Sequence, residues 1–327
     1  MLSSKFRPWG QLNWILDKVG IPKWHFIGCV STEDRCVSAY EILLKNDALA
    51  KATFIEIVDP PSHSDREIKK KITDNKNKLA GFGLPIVVEQ MNLLCDDYEI
   101  FDLSQDILKT KPQNVIIDIT SFPKRYFFPL IKLVSRDVGI ENIVITYTQP
   151  EKYANEDLSD DPEPWYPLPL FMSTEFPEPK FDLAFVGTGF MPFSLPKLLK
   201  DNHSEISLRL FFPFPPGPPN YQRSWEFIRK IEKHYNFKDH DRIARVDALD
   251  INGTYNYIKS VTDNGEKKCL FAPYGPKPIS LAMCLFAINN DSPVYYTQPK
   301  YYNPNYSKGA KETFAYCIRL FNNNLFS

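Results

Sequence analysis

The sequence predicts an α/β protein made of two duplicated Rossmann-like halves, each built on a mainly parallel sheet. Three observations point there: short apolar strands alternate with longer amphipathic segments, four blocks of sequence recur in the same order, and an acidic, proline-rich stretch separates the copies. Near-continuous apolar strands between helical segments suit a sheet covered on both faces, because such strands have no polar side to show.

The first half, residues 1–153, opens with a helix over Trp9–Val19, with Pro8 at its start. Phe26–Val30 reads as a buried strand opening into the turn Ser31-Thr32, and Thr53–Asp59 as a second strand stopped by Pro60-Pro61. Ser64 and Glu67 have capping-box spacing for the next helix. Val115–Asp118 is a further strand whose turn ends in Pro123-Lys124; an apolar helix follows, then a strand finishing in Tyr147-Thr148-Gln149-Pro150. Residues 154–178 hold five prolines and seven acids with no lysine or arginine, the composition of a connector. Trp165, Tyr166, Leu170, Phe171 and Met172 imply that it packs onto a surface.

The second half, residues 179–327, repeats the order. Asp182–Thr188 matches Phe26–Thr32, Leu208–Pro216 matches Thr53–Pro61, the stretch from Lys268 matches that from Val115, and Tyr296–Pro299 repeats the Tyr-Thr-Gln-Pro tetrapeptide, at offsets of 156, 155, 153 and 149 residues. A repeat of this kind dictates architecture. A helix from near Asn220 carries the apolar stripe Trp225, Phe227, Ile228, Ile231, and a C-terminal helix is expected around Ala310–Leu320.

Composition narrows the function classes. The 327 residues are 43% hydrophobic, ample for sizeable cores, and 39 basic against 40 acidic side chains leave a net charge of −1. No basic field marks a dedicated double-stranded nucleic-acid binder. No apolar run approaches the ~20 residues of a membrane span, and Asp17-Lys18 interrupts Trp14-Ile15-Leu16, so the chain reads as cytoplasmic. Cys29, Cys36, Cys95, Cys269, Cys284 and Cys317 include no C-x-x-C pair, and the five histidines show no ligand spacing; no metal and no cofactor is expected.

In doubly wound sheets ligands bind beyond the carboxyl ends of the strands, where helix N-termini offer free N–H groups. The duplication selects the turns there. Asp118, Thr120, Ser121, Lys124 and Arg125 combine a carboxylate, two hydroxyls and two cations, a set suited to a phosphate or ribose. Thr32, Glu33, Asp34 and Arg35 follow the first strand, and Asp59 closes the second. Glu33, Asp34 and Asp118 are the candidates for acid/base work. Gly187, Thr188, Arg223, Tyr274, Gly275 and Lys277 are the second-half candidates; Gly187-Thr188-Gly189 lacks the third glycine of a dinucleotide fingerprint, having Pro192 there.

Asp118, Thr120, Ser121 and Lys124, with Gly275 and Lys277, give the chain a resemblance to the ligand-binding core of CRISPR-associated Rossmann-fold (CARF) sensors, and two such units in one chain resemble the SAVED sensors of antiphage signalling. The family's glycine pair before the lysine is Phe122-Pro123 in one half and Gly275-Pro276 in the other. The resemblance implies binding of a cyclic oligonucleotide or similar nucleotide signal across the halves, with a separate effector protein. Two other readings compete: an enzyme acting on a nucleotide or nucleoside phosphate, which Asp118→Asn or Glu33→Gln would silence, and a scaffold without small ligand, indifferent to Lys124→Ala with Lys277→Ala.

Overall fold

The computed structural model describes residues 6–83, 86–154, 159–175, 179–189, 191–193, 195, 199, 206–214 and 220–327. In chain order the elements are β1 (Trp9–Gln11), α1 (Leu12–Val19), β2 (Trp24–Val30), a 3-10 turn (Asp34–Val37), α2 (Ser38–Lys45), β3 (Leu49–Val58), α3 (Asp65–Gly81), β4 (Ile86–Asn92), α4 (Asp97–Leu108), β5 (Asn114–Asp118), α5 (Lys124–Arg136), β6 (Asn142–Thr148), β7 (Lys152–Tyr153) and β8 (Ser159–Pro162). There follow β9 (Tyr166–Pro167), β10 (Leu183–Gly187), β11 (Ser207–Pro213), α6 (Asn220–Glu232), β12 (Arg242–Val246), α7 (Ile251–Val261), β13 (Cys269–Pro273), α8 (Lys277–Asn290), β14 (Tyr295–Tyr296), β15 (Pro299–Tyr302), β16 (Ser307–Lys308), β17 (Thr313–Leu320) and β18 (Asn323–Asn324).

Two compact units result, one of residues 1–161 with 299–326, the other of residues 162–298 with Ser327. In the first, the strand order is β1-β17-β6-β5-β2-β3-β4, with β18 beside β17. The run β4-β3-β2-β5-β6 is parallel throughout, while β17 and β1 are added antiparallel. In the second, β12-β11-β10-β13 is parallel, and Val294 bridges to Phe271 in the same sense just before β14. Both units therefore run third, second, first, fourth strand, then a fifth position, as the duplication predicts. The order reverses between β2 and β5 and between β10 and β13, the switch points of an α/β sheet.

Burial explains why these segments became strands. All seven residues of β2 and all five of β10 are buried, so both faces of each sheet are covered at its central strand. Phe26, Tyr40 and Phe54 pack ring to ring at 5.3–5.8 Å, and Leu12, Ile15, Leu43, Val144 and Cys317 join the same core from α1, α2, β6 and β17. A buried aromatic trio of this kind is worth ~3–5 kcal/mol per ring lost.

Four local expectations are corrected. The C-terminal helix expected around Ala310–Leu320 is strand β17, wedged between β1 and β6 and mostly buried. A short apolar run looks alike in a buried strand and a buried helix, and the aromatic residues of Thr313–Leu320 favour the strand. By the same pairing, residues 299–326 belong with the first sheet rather than closing the second half. The N-terminal helix starts at Leu12, because Trp9–Gln11 pair with β17. Ser64 makes no side-chain cap; Asp65 instead accepts from the Ser62 N–H at 2.7 Å and the Ser62 hydroxyl at 3.0 Å. The acidic connector packs, as its aromatic residues imply: β8 pairs with β15 and β9 with β14.

Candidate functional site

In the first unit a groove of about 640 Å³ opens at the carboxyl ends of β3 and β4. β3 delivers Asp59 to its floor, and Pro60-Pro61 turn the chain into α3, whose Ile68 and Ile72 form an apolar wall. Asn92, Leu93 and Leu94 from the end of β4 face them. Asp96 and Glu99 at the start of α4 complete the lining, the Asp96 N–H donating to Glu99 Oε1 at 3.2 Å.

Carboxylates dominate the electrostatics here. Glu56, Asp59, Asp65, Asp96 and Glu99 line the groove with Lys69 as the lining cation, and Lys76 forms an ion pair with Glu56. Burial, reinforced by the nearby Asp65 charge, lifts the Asp59 carboxyl to about 6. The Asp65 carboxyl moves the opposite way, held down by hydrogen bonds from the Ser62 backbone and hydroxyl. Two neighbouring acids are thus pushed apart in acidity, Asp59 being the weaker acid of the pair. Its position, one residue past the second strand from the switch point, is where Rossmann-type sites place the acid that accepts from a ribose hydroxyl.

The Asp118–Arg125 turn serves the protein's own main chain. Asp118 and Thr120 are fully buried; Asp118 Oδ1 accepts from the Thr120 hydroxyl at 2.6 Å and the Thr146 hydroxyl at 3.0 Å, and Thr120 Oγ1 accepts from the Thr148 N–H at 2.9 Å. Together they tie the end of β5 to β6. Ser121 donates to the Cys29 carbonyl at 2.7 Å, and Arg125 donates to the Cys95 carbonyl at 2.7 Å and to Asp97 at 3.1 Å. Lys124, at the first position of α5, is half-buried.

After β2, Arg35 is buried and donates twice to Glu33 Oε2, at 3.0 and 2.8 Å, and once to the Thr148 carbonyl at 2.6 Å. Its guanidinium lies 5.6 Å from the centre of the Tyr147 ring. Burial opposes the charge and is the largest single influence, but the Glu33 carboxylate together with Tyr147 and Tyr153 outweighs it and holds Arg35 above its ordinary range. Ser307 donates to the same Glu33 oxygen. Lys71 reaches the Pro304 carbonyl and Asn305, and Ser64 meets Tyr301, so residues 301–307 of the chain itself cover this turn. Thr32 is half-buried, and exposed Asp34 pairs loosely with Lys78 at 3.6 Å. Glu33, Asp34 and Asp118 consequently occupy three different settings rather than one acid/base constellation.

In the second unit the glycines answer to a neighbouring loop. A Cβ at Gly189 would lie 2.0 Å from the Tyr274 carbonyl oxygen, and one at Gly187 would lie 3.0 Å from the Gly275 nitrogen. The Thr188 hydroxyl donates to the Phe211 carbonyl at 2.8 Å. Tyr274 is buried, its hydroxyl 2.7 Å from Thr297 Oγ1, and Trp165 stacks against Tyr295 at 5.3 Å and Tyr274 at 6.5 Å. Arg223 and Lys277 are half-buried on α6 and at the start of α8. Gly187, Thr188 and Gly275 therefore pack loop against loop beside Tyr274.

All six cysteines are buried and free. Among the described residues no helix is long and apolar enough to cross a membrane, and no trio of His, Cys, Asp or Glu is arranged to hold a metal ion. Sequence reasoning passed over residues 86–108, which supply half the groove; the Asp96/Glu99 spacing at a helix start was the signal that marks it.

No family model matches the chain, and neither does any curated protein sequence. Among solved structures it is similar to a putative universal stress protein from Pseudomonas aeruginosa UCBPP-PA14, at 11% identity and a TM-score of 0.25, over 84% of this chain and 93% of that one. A likeness at that level carries no argument about ligand or activity.

Proposed function

We propose that this chain is a binding module for a nucleotide-like ligand, and that the groove beside Asp59 takes the ligand's ribosyl end. The observation that carries the reading is Asp59 itself: a carboxylate at the tip of β3, set in a groove of about 640 Å³ between apolar walls from α3 and the β4–α4 loop. The apolar side chains suit a base face, while the acids accept from ribose hydroxyls or exocyclic amines. The same acids repel phosphate, so the phosphoryl groups of the ligand point away from Glu56, Asp96 and Glu99. The sensor role in antiphage defence, with a cyclic oligonucleotide as signal and a separate effector, comes from the CARF/SAVED resemblance and belongs to the same proposal.

Calorimetric titration of the chain with adenosine, its 2′-deoxy and 3′-deoxy forms, mononucleotides and cyclic oligoadenylates tests this. Ribose-bearing ligands should bind, the deoxy form that loses the bonded hydroxyl should bind at least tenfold more weakly, and Asp59→Ala should lose about tenfold or more, as expected for a hydrogen bond to a charged group. No heat with any member of the panel, or undiminished binding by Asp59→Ala, would refute it.

A further inference from the structure

The third strand of each unit is left open in a way the rest of the sheet is not. In β3, residues Ala52–Ile55 are all buried, whereas in β4 the consecutive residues Val87 and Val88 are 41% and 40% exposed. Consecutive strand residues point to opposite faces, so neither face of β4 is covered. Its one strand neighbour among the described residues is β3. The counterpart β12 repeats the pattern: it has β11 on one side, Ile243 is 45% exposed, and Arg242 and Arg245 are exposed beside it. An open apolar edge is a template for adding a further strand, which natural proteins blunt with lysine, proline or bulges. β4 carries none of these, and its charge is the exposed Glu89.

The two edges are opposite in sign and both expose apolar side chains: Val87 and Val88 beside Glu89 on one, Ile243 beside Arg242 and Arg245 on the other. Two copies of an acidic edge, or two of a basic edge, would place like charges together. We propose that copies of this chain associate head to tail, the β4 edge of one copy adding to the β12 edge of the next. Main-chain hydrogen bonds continue the sheet, the exposed valines and Ile243 gain a neighbouring strand, and Glu89 meets Arg245, Arg242 lying on the opposite face of β12. A heterologous contact of this kind uses a different edge on each partner, so each added copy brings a further edge, and association rises with concentration. The inference stands on the edges alone and is independent of the ligand groove.

Sedimentation velocity from about 1 to about 100 μM, the span over which a micromolar contact saturates, tests it. The natural chain should pass from monomer to associated species as concentration rises. Glu89→Arg and Arg245→Glu should each weaken association about tenfold or more, and the double variant Glu89→Arg with Arg245→Glu should recover it. Val88→Lys should leave a monomer. All three substituted positions are exposed, and circular dichroism confirms that each of the four variants is folded. A chain that stays monomeric throughout overturns the proposal. So does one that stops at a dimer sensitive to Glu89→Arg but indifferent to Arg245→Glu, which is the signature of β4 pairing with itself.

Discussion

Replacing Asp59 by asparagine should make the protein more stable at neutral pH. The substitution keeps size and hydrogen-bonding capacity and removes a charge held in a partly buried, carboxylate-rich groove. A carboxyl raised from 3.8 to about 6 carries at most about 3 kcal/mol against its ionised form, at about 1.36 kcal/mol per pH unit. Because the groove opens to solvent, screening reduces this, and about 1–2 kcal/mol is the expected gain. The sign follows from linkage: the folded state binds the proton more tightly than the unfolded chain, so the penalty is complete above pH 6, shrinks as pH falls through 6, and vanishes below 3.8. Urea denaturation of both proteins at pH 7.5, 6.0 and 4.5 measures it, with Asp59→Asn ahead at pH 7.5 and the gap closing with acid. A variant no more stable than the natural protein at pH 7.5, or an advantage independent of pH, would refute the assignment of Asp59 as the strained acid.

Other outcomes follow from the same structure. His25, buried against Thr53 at 2.9 Å, is held down to about 4 by burial and then by Lys51, so it is neutral when folded. The unfolded chain takes up its proton below about 6.5, so stability falls between pH 6.5 and 4, and the natural protein should lose more over that window than His25→Gln. Glu33→Gln leaves Arg35 buried with its charge partner gone and should cost about 3–5 kcal/mol by chemical denaturation. Gly189→Ala drives a Cβ into the Tyr274 carbonyl and should destabilise by more than about 2 kcal/mol, read as a drop in Tm of the second unit's transition.

The repeated topology was legible because it is local: β2, β3, β5 and β6 each announce themselves by an apolar run ended by a turn, and β10, β11 and β13 repeat them at nearly constant distance. The C-terminal strand was not, since its burial comes from β1 and β6, far away in sequence, and nothing within Thr313–Leu320 reports that pairing. The site shows the same division. Asp59 could be named from its place at a strand end, yet its proton affinity comes from burial in a groove whose other wall begins at Asn92. Asp118 looked available from its neighbours Thr120 and Ser121, but Thr146, in the next strand, adds a second hydrogen bond to the Oδ1 that Thr120 already holds. Gly187 and Gly189 signal close approach correctly; that the approaching atoms are the Tyr274 carbonyl and the Gly275 amide depends on how the two loops pack.

Hydrogen–deuterium exchange with and without a saturating ribonucleotide bears most directly on the groove as the ligand site. The account predicts slower exchange at residues 56–61 and 92–99 in the bound protein and no such slowing in Asp59→Ala. Protection confined to the 118–125 turn or to the 187–189 and 273–277 loops, or exchange unaltered throughout, would contradict it.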